Sequence, residues 1–390
     1  MRRLHRPGVG RLLIALSTAL LAGASGAASG AVVACGPFTD VAVDAFCPFV
    51  LEIFYLGITT GTTATTYDPA SPVSRLQMAA FLSRTVDRVL GRGSRRAAVQ
   101  KFWVPRNDLA LGLTTLPAQP YYVSSDGKDL WVSNTFDNSV TRVRGSDGRA
   151  LETWTGATLA FQGLSVMGRI LVAGQTTPGR LYRIDPAQAA GAVTTVASNL
   201  GDNSQGITFD GARVWMANAA MSVSIVTPGA SIPWTVTTVP MASSANGAVF
   251  DGASVWISSY SGGTLLKLDS AGSVLQTVTV GVQPFGLLFD GTNLWVVNRG
   301  DSTVSVVRAA TGVVLATLTG NGLASPQGVA FDGERILVAD EFDAVSLWKA
   351  ASFEALGTFP TGTASAPNGA CSDGTDFWIA LAGSNRLARF

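Results

Sequence analysis

The chain has 390 residues, 47% of them hydrophobic and 14% charged, with 43 glycines; this length allows a large core plus a small accessory domain, and the composition suits many strands and tight turns. The formal net charge is +1, but four of the 27 basic residues, Arg2, Arg3, Arg6 and Arg11, crowd the N-terminus, which leaves the rest mildly acidic against 26 carboxylates and argues against a nucleic-acid partner. The one histidine is His5, so the chain beyond its N-terminus cannot build a Ser-His-Asp triad, a Cys-His pair or histidine-ligated zinc or iron.

Residues 1–31 read as a secretory signal peptide. The four arginines form its basic start, Leu12–Ala22 is an apolar core too short to span a bilayer, and Gly23–Ala31 is a run of small residues with several cleavage points. Val32-Val33-Ala34 before Cys35 keeps a lipoprotein reading open beside ordinary cleavage, which is favoured because the apolar core ends far upstream. No other stretch is long enough for a transmembrane span, so a secreted or cell-envelope protein is expected. Export makes a Cys35–Cys47 disulfide the expected pairing and leaves Cys371 as a small buried residue.

In residues 35–90, Phe46, Phe49, Val50, Ile53 and Phe54 follow helical spacing, and Gly57 is a suitable C-terminal stop. After the Thr/Gly-rich loop Ile58–Thr66 and Pro72, Ser74-Arg75-Leu76-Gln77 reads as a capping box that opens a second helix. Met78, Leu82, Val86 and Val89 are expected on its buried face. Four blocks in order, Phe38-Thr39-Asp40-Val41, Leu56-Gly57-Ile58-Thr59-Thr60-Gly61, Tyr67-Asp68-Pro69 and the stretch from Pro72 to Leu82, resemble an S-layer homology repeat. The resemblance implies a small α-helical module that attaches exported proteins to cell-wall polysaccharide. It also implies that Arg75, at the Arg of the family's Thr-Arg-Ala-Glu motif, contacts the acidic glycan. Gln77 stands where that motif has Glu, and one repeat is found where wall-binding members carry three, so a structural cap stays open as the other reading. Gly91-Arg92-Gly93-Ser94-Arg95-Arg96 begins a polar linker, 91–108.

From Leu109 a repeat takes over. Pro284–Asn298, PFGLLFDGTNLWVVN, recurs imperfectly seven times, and its turn glycines, Gly127, Gly168, Gly211, Gly252, Gly291, Gly333 and Gly374, are 39 to 43 residues apart. That period with strand-like content marks a seven-bladed β-propeller over residues 109–390. In the fifth copy the four strands are expected at Gly286–Phe289, Leu294–Asn298, Val304–Arg308 and Val313–Leu318. Trp131, Trp215, Trp256, Trp295 and Trp378 share one slot, filled by Val172 and Leu337 in the other copies, and read as packing between blades. The Asp-Gly turns read as structural. The last copy supplies three strands only; the period-two stretch Leu109–Leu116 is expected to close its blade by pairing with Arg386–Phe390, burying three leucines. The Pro-x-Gly openings, as in Pro284-Phe285-Gly286 and Pro326-Gln327-Gly328, and the aromatic-plus-Asn second strand resemble the bacterial YVTN/NHL-like propellers. That likeness implies fold and leaves function open.

Loops leading into the inner strands and loops between second and third strands are expected to share one face. They vary between copies, which is where recognition would reside. The candidates are Gln205, Tyr260, Phe285, Arg299, Gln327, Asp340 and Glu341, with Gln162, Asn246 and Asn368 at the same inner-strand slot as Gln205. Asp340, Glu341 and Asp343 are close in sequence, and Ca²⁺ is the cofactor such oxygen ligands could hold, although no EF-hand pattern is present. A similar family, the streptogramin-ring-opening lyases, depends on a catalytic histidine that the mature chain lacks. Two functions remain: a non-catalytic scaffold binding cell-wall polysaccharide or an envelope protein, and an exported His-free lyase or hydrolase using carboxylates or Ca²⁺ on the loop face. Convergent carboxylates in a deep pocket would favour the enzyme.

Overall fold

The computed structural model describes residues 35–42, 47–55, 58–75, 77–82, 85, 112–116 and 119–390. The expected signal peptide, the 91–108 linker and Leu109–Leu111 lie outside the described residues, as do Phe46, Gly57, Val86 and Val89. The chain divides into two units, Met1–Gly91 and Arg92–Phe390.

The second unit is all β: seven four-stranded antiparallel sheets, the seven blades of a propeller. Their inner strands are Pro120–Ser125, Ala160–Val166, Ser204–Phe209, Ala245–Phe250, Pro284–Phe289, Pro326–Phe331 and Pro367–Ser372, blades 1 to 7 in that order. In blade 5 the second, third and outer strands are Asn293–Asn298, Thr303–Arg308 and Val313–Leu318. All six residues of that second strand are buried, while the outer strand is mostly exposed. The gradient follows from stacking: neighbouring blades cover both faces of the middle strands, and the rim faces water.

Each tryptophan of the shared slot is fully buried, and its indole N–H donates to the turn aspartate five residues earlier. The distances are 2.9 Å from Trp131 to Asp126, 2.7 Å from Trp215 to Asp210, from Trp256 to Asp251 and from Trp295 to Asp290, and 2.9 Å from Trp378 to Asp373. The other carboxylate oxygen accepts backbone N–H groups of the turn, as Asp290 does from Thr292 at 2.8 Å and Asn293 at 2.7 Å. The aspartate therefore closes the hairpin and satisfies the one polar atom of a buried indole. In blade 6, where Leu337 replaces the tryptophan, Asp332 binds Arg335 at 2.7 Å instead. Asp290→Ala is expected to cost roughly 2–4 kcal/mol in urea unfolding, because hydrogen bonds to a charged acceptor are lost and a buried donor is stranded. A cost indistinguishable from zero would remove this role.

Every inner strand slips by one residue against its neighbour next to its first position, as between Pro284 and Leu287. The glycine of Pro-x-Gly sits at this bulge, and the reason is close approach. A Cβ on Gly206, Gly247, Gly286 or Gly328 would run into the backbone carbonyl of Asn246, Phe285, Gln327 or Asn368 in the next blade. Tyr122 and Gln162 occupy that position in blades 1 and 2. Blade 2 corrects two assignments. Its hairpin turn is the two residues Met167-Gly168 where blade 5 uses four, so the residue aligned with Trp295 is Leu171, not Val172, and the residue aligned with Phe285 is Phe161, not Gln162.

Blade 7 takes its outer strand from the start of the unit. Gly112–Thr115 pairs antiparallel with Arg386–Arg389, Gly112 opposite Arg389 and Thr115 opposite Arg386, and the Leu116 N–H donates to the Asn385 carbonyl at 3.0 Å. Leu116 is buried beside Trp378 and Leu387. Leu113 is 43% exposed, a departure from the expected trio of buried leucines, because an outermost strand has no further blade to cover it.

In the first unit, a helix runs over Cys47–Tyr55, and Cys35 and Cys47 are disulfide-bonded with their Cα atoms 5.7 Å apart. Phe38 is buried against Phe54 and Tyr67, with ring centroids at 5.0 and 5.4 Å. Asp40 accepts N–H groups of Tyr67 at 2.8 Å and Asp68 at 2.7 Å; the bond from Tyr67 leads in holding its carboxyl below the usual range. Ser74 and Gln77 form the reciprocal capping box, Ser74 N–H to Gln77 Oε1 at 2.8 Å and Gln77 N–H to Ser74 Oγ at 3.2 Å. Met78 and Leu82, expected to be buried, are 47% and 60% exposed. No helix among the described residues is long and apolar enough to cross a membrane.

Candidate functional site

Backbone hydrogen bonds tie the two loop sets of the propeller to one another. The loop between second and third strands donates to the loop leading into its own inner strand: Tyr260 to Ser244 at 2.8 Å, Arg299 to Gln283 at 3.1 Å, Glu341 to Ser325 at 3.4 Å and Ala382 to Ala366 at 3.1 Å. The two sets therefore share a face. Gln283, Ser325 and Ala366 each precede a proline and hold φ between 43° and 54°. Non-glycine residues in this region are strained, and residues before proline avoid it; the bond from the neighbouring loop holds them there.

At the centre of this face is a cavity of about 50 Å³ on the propeller axis, lined by all seven inner strands. The second residues of the inner strands line it or lie beside it: Phe161, Gln205, Asn246, Phe285, Gln327 and Asn368, each at least nine-tenths buried. Gln205 Oε1, Asn246 Oδ1 and Asn368 Oδ1 accept no hydrogen bond from the described residues.

Around the mouth stand aromatic rings. Tyr121, Tyr122 and Phe161 form a three-ring cluster with centroids 4.4 to 5.9 Å apart, and Tyr260 meets Phe285 edge-on at 6.2 Å. All five pack in one hydrophobic cluster. Burial raises the Tyr121 phenol above its ordinary value, with Arg299 opposing and Glu341 reinforcing that shift, so this hydroxyl is a neutral donor at physiological pH. Burial raises Tyr122 as well.

A charged pair stands at the mouth. Arg299 Nη2 lies 2.7 Å from Glu341 Oε2, both side chains about a third exposed. The Ser325 hydroxyl donates to the same carboxylate oxygen at 2.9 Å, and Arg299 Nε donates to Ser325 Oγ at 3.2 Å. Burial pushes the Glu341 carboxyl up, but hydrogen bonds from Arg299, Ser325 and Gln327 outweigh it and hold the group below its usual value. Glu341 is thus an ionised partner of Arg299.

The three acidic residues close in sequence do different things. Asp343 binds the backbone N–H groups of Ala364 at 2.6 Å and Ala366 at 3.0 Å. Asp340 is not on the ligand face; it is fully buried and turned inward. It occupies the slot of Asn134, Asn218 and Asn298, whose amide nitrogens donate to hydroxyls on the third strand, as Asn298 does to Thr303 and Ser305, each at 2.9 Å. Asp340 instead accepts from Ser346 Oγ at 2.8 Å and from the Ala324 N–H at 3.1 Å. Burial leads in raising its pKa to about 7, against those two hydrogen bonds. Among the described residues, no group of three or more His, Cys, Asp or Glu could hold a metal ion. Cys371 carries no disulfide, lies opposite Trp378 in the register of Thr208, Val249 and Leu288, and burial raises its thiol pKa.

Of the expected ligand-face residues, the structure brings Tyr260, Phe285, Arg299, Gln327 and Glu341 together at the mouth, with Gln205 in the cavity below. Tyr121, Tyr122, Phe161 and Ser325 were not anticipated. Tyr121 carried a usable signal: Pro120 stands 14 residues before Asn134, as Pro284 stands before Asn298, so Pro120-Tyr121-Tyr122 is the first copy's Pro-x-Gly.

No protein-family model matches the chain, and no curated protein matches it. Solved structures do. A catalytically inactive histidine-to-alanine variant of virginiamycin B lyase from Staphylococcus aureus, with quinupristin, is similar over 71% of this chain and 98% of its own, at 13% identity and a TM-score of 0.59. The WD40 β-propeller domain of Doa1 is similar over 72% and 95%, at 15% identity and a TM-score of 0.61. Hydrazine synthase of Kuenenia stuttgartiensis is similar over 71% and 96%, at 17% identity and a TM-score of 0.58. At such identities the likeness extends to the fold alone: the chain contains a seven-bladed β-propeller similar in fold to those structures.

Proposed function

We propose that this is a non-catalytic exported protein of the cell envelope. Its propeller is a scaffold that binds a glycan or a protein partner at the axial mouth, and its N-terminal unit attaches to cell-wall polysaccharide. The observation that carries the reading is the make-up of the mouth: aromatic rings around a single Arg–Glu pair that neutralises itself, with Asp340 turned away and Asp343 engaged in its own loops. A lyase or hydrolase working through carboxylates needs them convergent, and Asp340, Glu341 and Asp343 diverge. The virginiamycin B lyase variant that lost its histidine is inactive, and the chain after His5 has no histidine.

Attachment rests on the S-layer-like motif and on Arg75, which stands exposed between the two capping-box residues, in the first turn of its helix, and offers a planar donor fork to an anionic polymer. Purified full-length protein is expected to be retained on isolated wall fractions. Arg75→Ala is expected to weaken that retention severalfold with an unchanged melting temperature. Equal retention of both proteins would remove the role of Arg75; retention of neither would leave the first unit as a structural cap.

A further inference from the structure

We infer that the outer rim of blades 4 and 5 is an interface between two copies of this chain, which pair edge to edge along the outermost strands of these blades. The first argument is where apolar side chains are left in water. The outer strands of blades 2 and 3, Thr194–Leu200 and Thr235–Pro240, expose no large apolar side chain, and those of blades 1, 6 and 7 expose one each, Leu151, Leu356 and Leu113. The outer strands of blades 4 and 5, Val274–Thr279 and Val313–Leu318, expose five: Val274, Leu275, Val313, Val314 and Leu315, at 38% to 61%. Gln276 Nε2 donates to the Thr311 carbonyl at 3.0 Å, so the two strands lie side by side at their starts and these residues form one patch. Scattered exposed leucines are ordinary on a surface, whereas a contiguous apolar group marks a contact.

The second argument is the open edge. Both strands are outermost in their sheets, and among the described residues the backbone of 275–279 and 314–318 makes no backbone hydrogen bond outside its own sheet. A free edge accepts another strand unless a charge, a proline or a kink blunts it. Blade 1 carries Glu152 in its outer strand, blade 3 ends in Pro240, and blade 6 has Gly357 at φ 125° and Pro360. The outer strands of blades 4 and 5, VLQTVT and VVLATL, have no charge, proline or glycine.

The third argument selects the occupant. Neither strand holds an ionisable group, so a charged peptide or an anionic polymer finds no counter-charge there. A lipid surface is served by cationic and aromatic side chains beside the apolar ones, and these strands have neither. One strand inward, Lys267 is turned onto the Trp256 ring, 5.2 Å from its centroid, and Arg308 is half-buried. In a two-fold contact a residue near the axis meets its own copy, where a charge would meet its like. A neutral edge is self-complementary: antiparallel pairing sets donors against acceptors and valine and leucine against their equals. The exposed residues lie at the strand ends next to the turn from the third strand, and the mouth loops lie at the opposite end, so pairing leaves both mouths open.

The test is sedimentation velocity of full-length protein over a range of concentrations, with sedimentation beside phosphatidylcholine vesicles in parallel. A dimer that dissociates on dilution is expected. Val314→Lys and Leu275→Lys are each expected to weaken it at least tenfold with an unchanged melting temperature. Leu151→Lys, which adds the same charge to the outer strand of blade 1, should leave it intact. Hydrogen exchange needs no substitution: amides of Val313–Leu318 should be better protected in the dimer than in the monomer, with Thr235–Pro240 unchanged. A monomer at every concentration overturns the inference. So does a dimer that both lysine variants leave unchanged, or one that protects a different outer strand. A monomer that sediments with the vesicles also overturns it and gives the patch to lipid.

Discussion

A chain that begins at Pro120 is expected to aggregate or to melt far below one that begins at Ala97. The difference between them is the strand Gly112–Thr115, which completes blade 7. Its removal deletes a four-residue ladder, at about 0.5–1.5 kcal/mol for each net hydrogen bond, and the burial of Leu116, worth about 1.5–3 kcal/mol. A domain's whole margin is about 5–15 kcal/mol. Entropy does not rescue the shorter chain, since closing so long a loop grows only slowly in cost, about 0.6 kcal/mol per doubling. The shorter chain also leaves Arg386–Arg389 as an unpaired edge, a template for another chain. Thermal melting with light scattering decides the matter, and equal melting temperatures would refute closure by this strand.

The second large effect is expected at Asp340. Ser346 has one hydroxyl hydrogen and two acceptors at 2.8 Å, Asp340 Oδ2 and the Asn321 carbonyl. One hydroxyl hydrogen shared between two acceptors leaves the buried carboxyl short of donors for its charged form. That agrees with its neighbours in the slot, which are neutral asparagines, and with a pKa raised to about 7 by burial. The unfolded carboxyl titrates near 3.8, so between about pH 4 and pH 7 the folded state binds more protons than the unfolded state. Stability from this residue is therefore fully present below about pH 4 and lost as pH rises through 7. At about 1.4 kcal/mol per pH unit, the loss is on the order of 3–4 kcal/mol at pH 8. Asp340→Asn supplies a neutral donor at every pH. It is expected to match the original protein near pH 4 and to exceed its stability by that amount at pH 8, measured by urea unfolding. A difference between the two proteins that does not change with pH would show that Asp340 is ionised in the fold.

The scaffold was legible because its signals repeat. The turn glycines, the tryptophan slot and the Cys371 register recur copy after copy, and a period averages out local exceptions. What failed was counting across an exception. The two-residue turn Met167-Gly168 shifts blade 2 by one, enough to put Gln162 where Phe161 belongs and to hide one wall of the mouth. The aspartates signal a turn, but their bonds to the indoles five residues downstream carry no signal in the sequence, since no pattern within a turn announces a partner on the next strand. Asp340 looked like part of an acidic loop. Its position two residues before a phenylalanine says nothing of direction, whereas strand alternation turns it inward and Glu341 outward. The mouth itself was partly legible, because its residues come from seven separate copies and only a common register gathers them.

Among the described residues, the strand that closes blade 7 is also the first of the second unit, and this has a mechanical consequence. Where the N-terminal unit is held on a surface and drag acts on the propeller, tension reaches the described part of the ring through this strand. The whole load then passes through the four pairs from Gly112 opposite Arg389 to Thr115 opposite Arg386 before any other blade is strained. The four pairs of this short outermost strand therefore set the force at which the ring first opens.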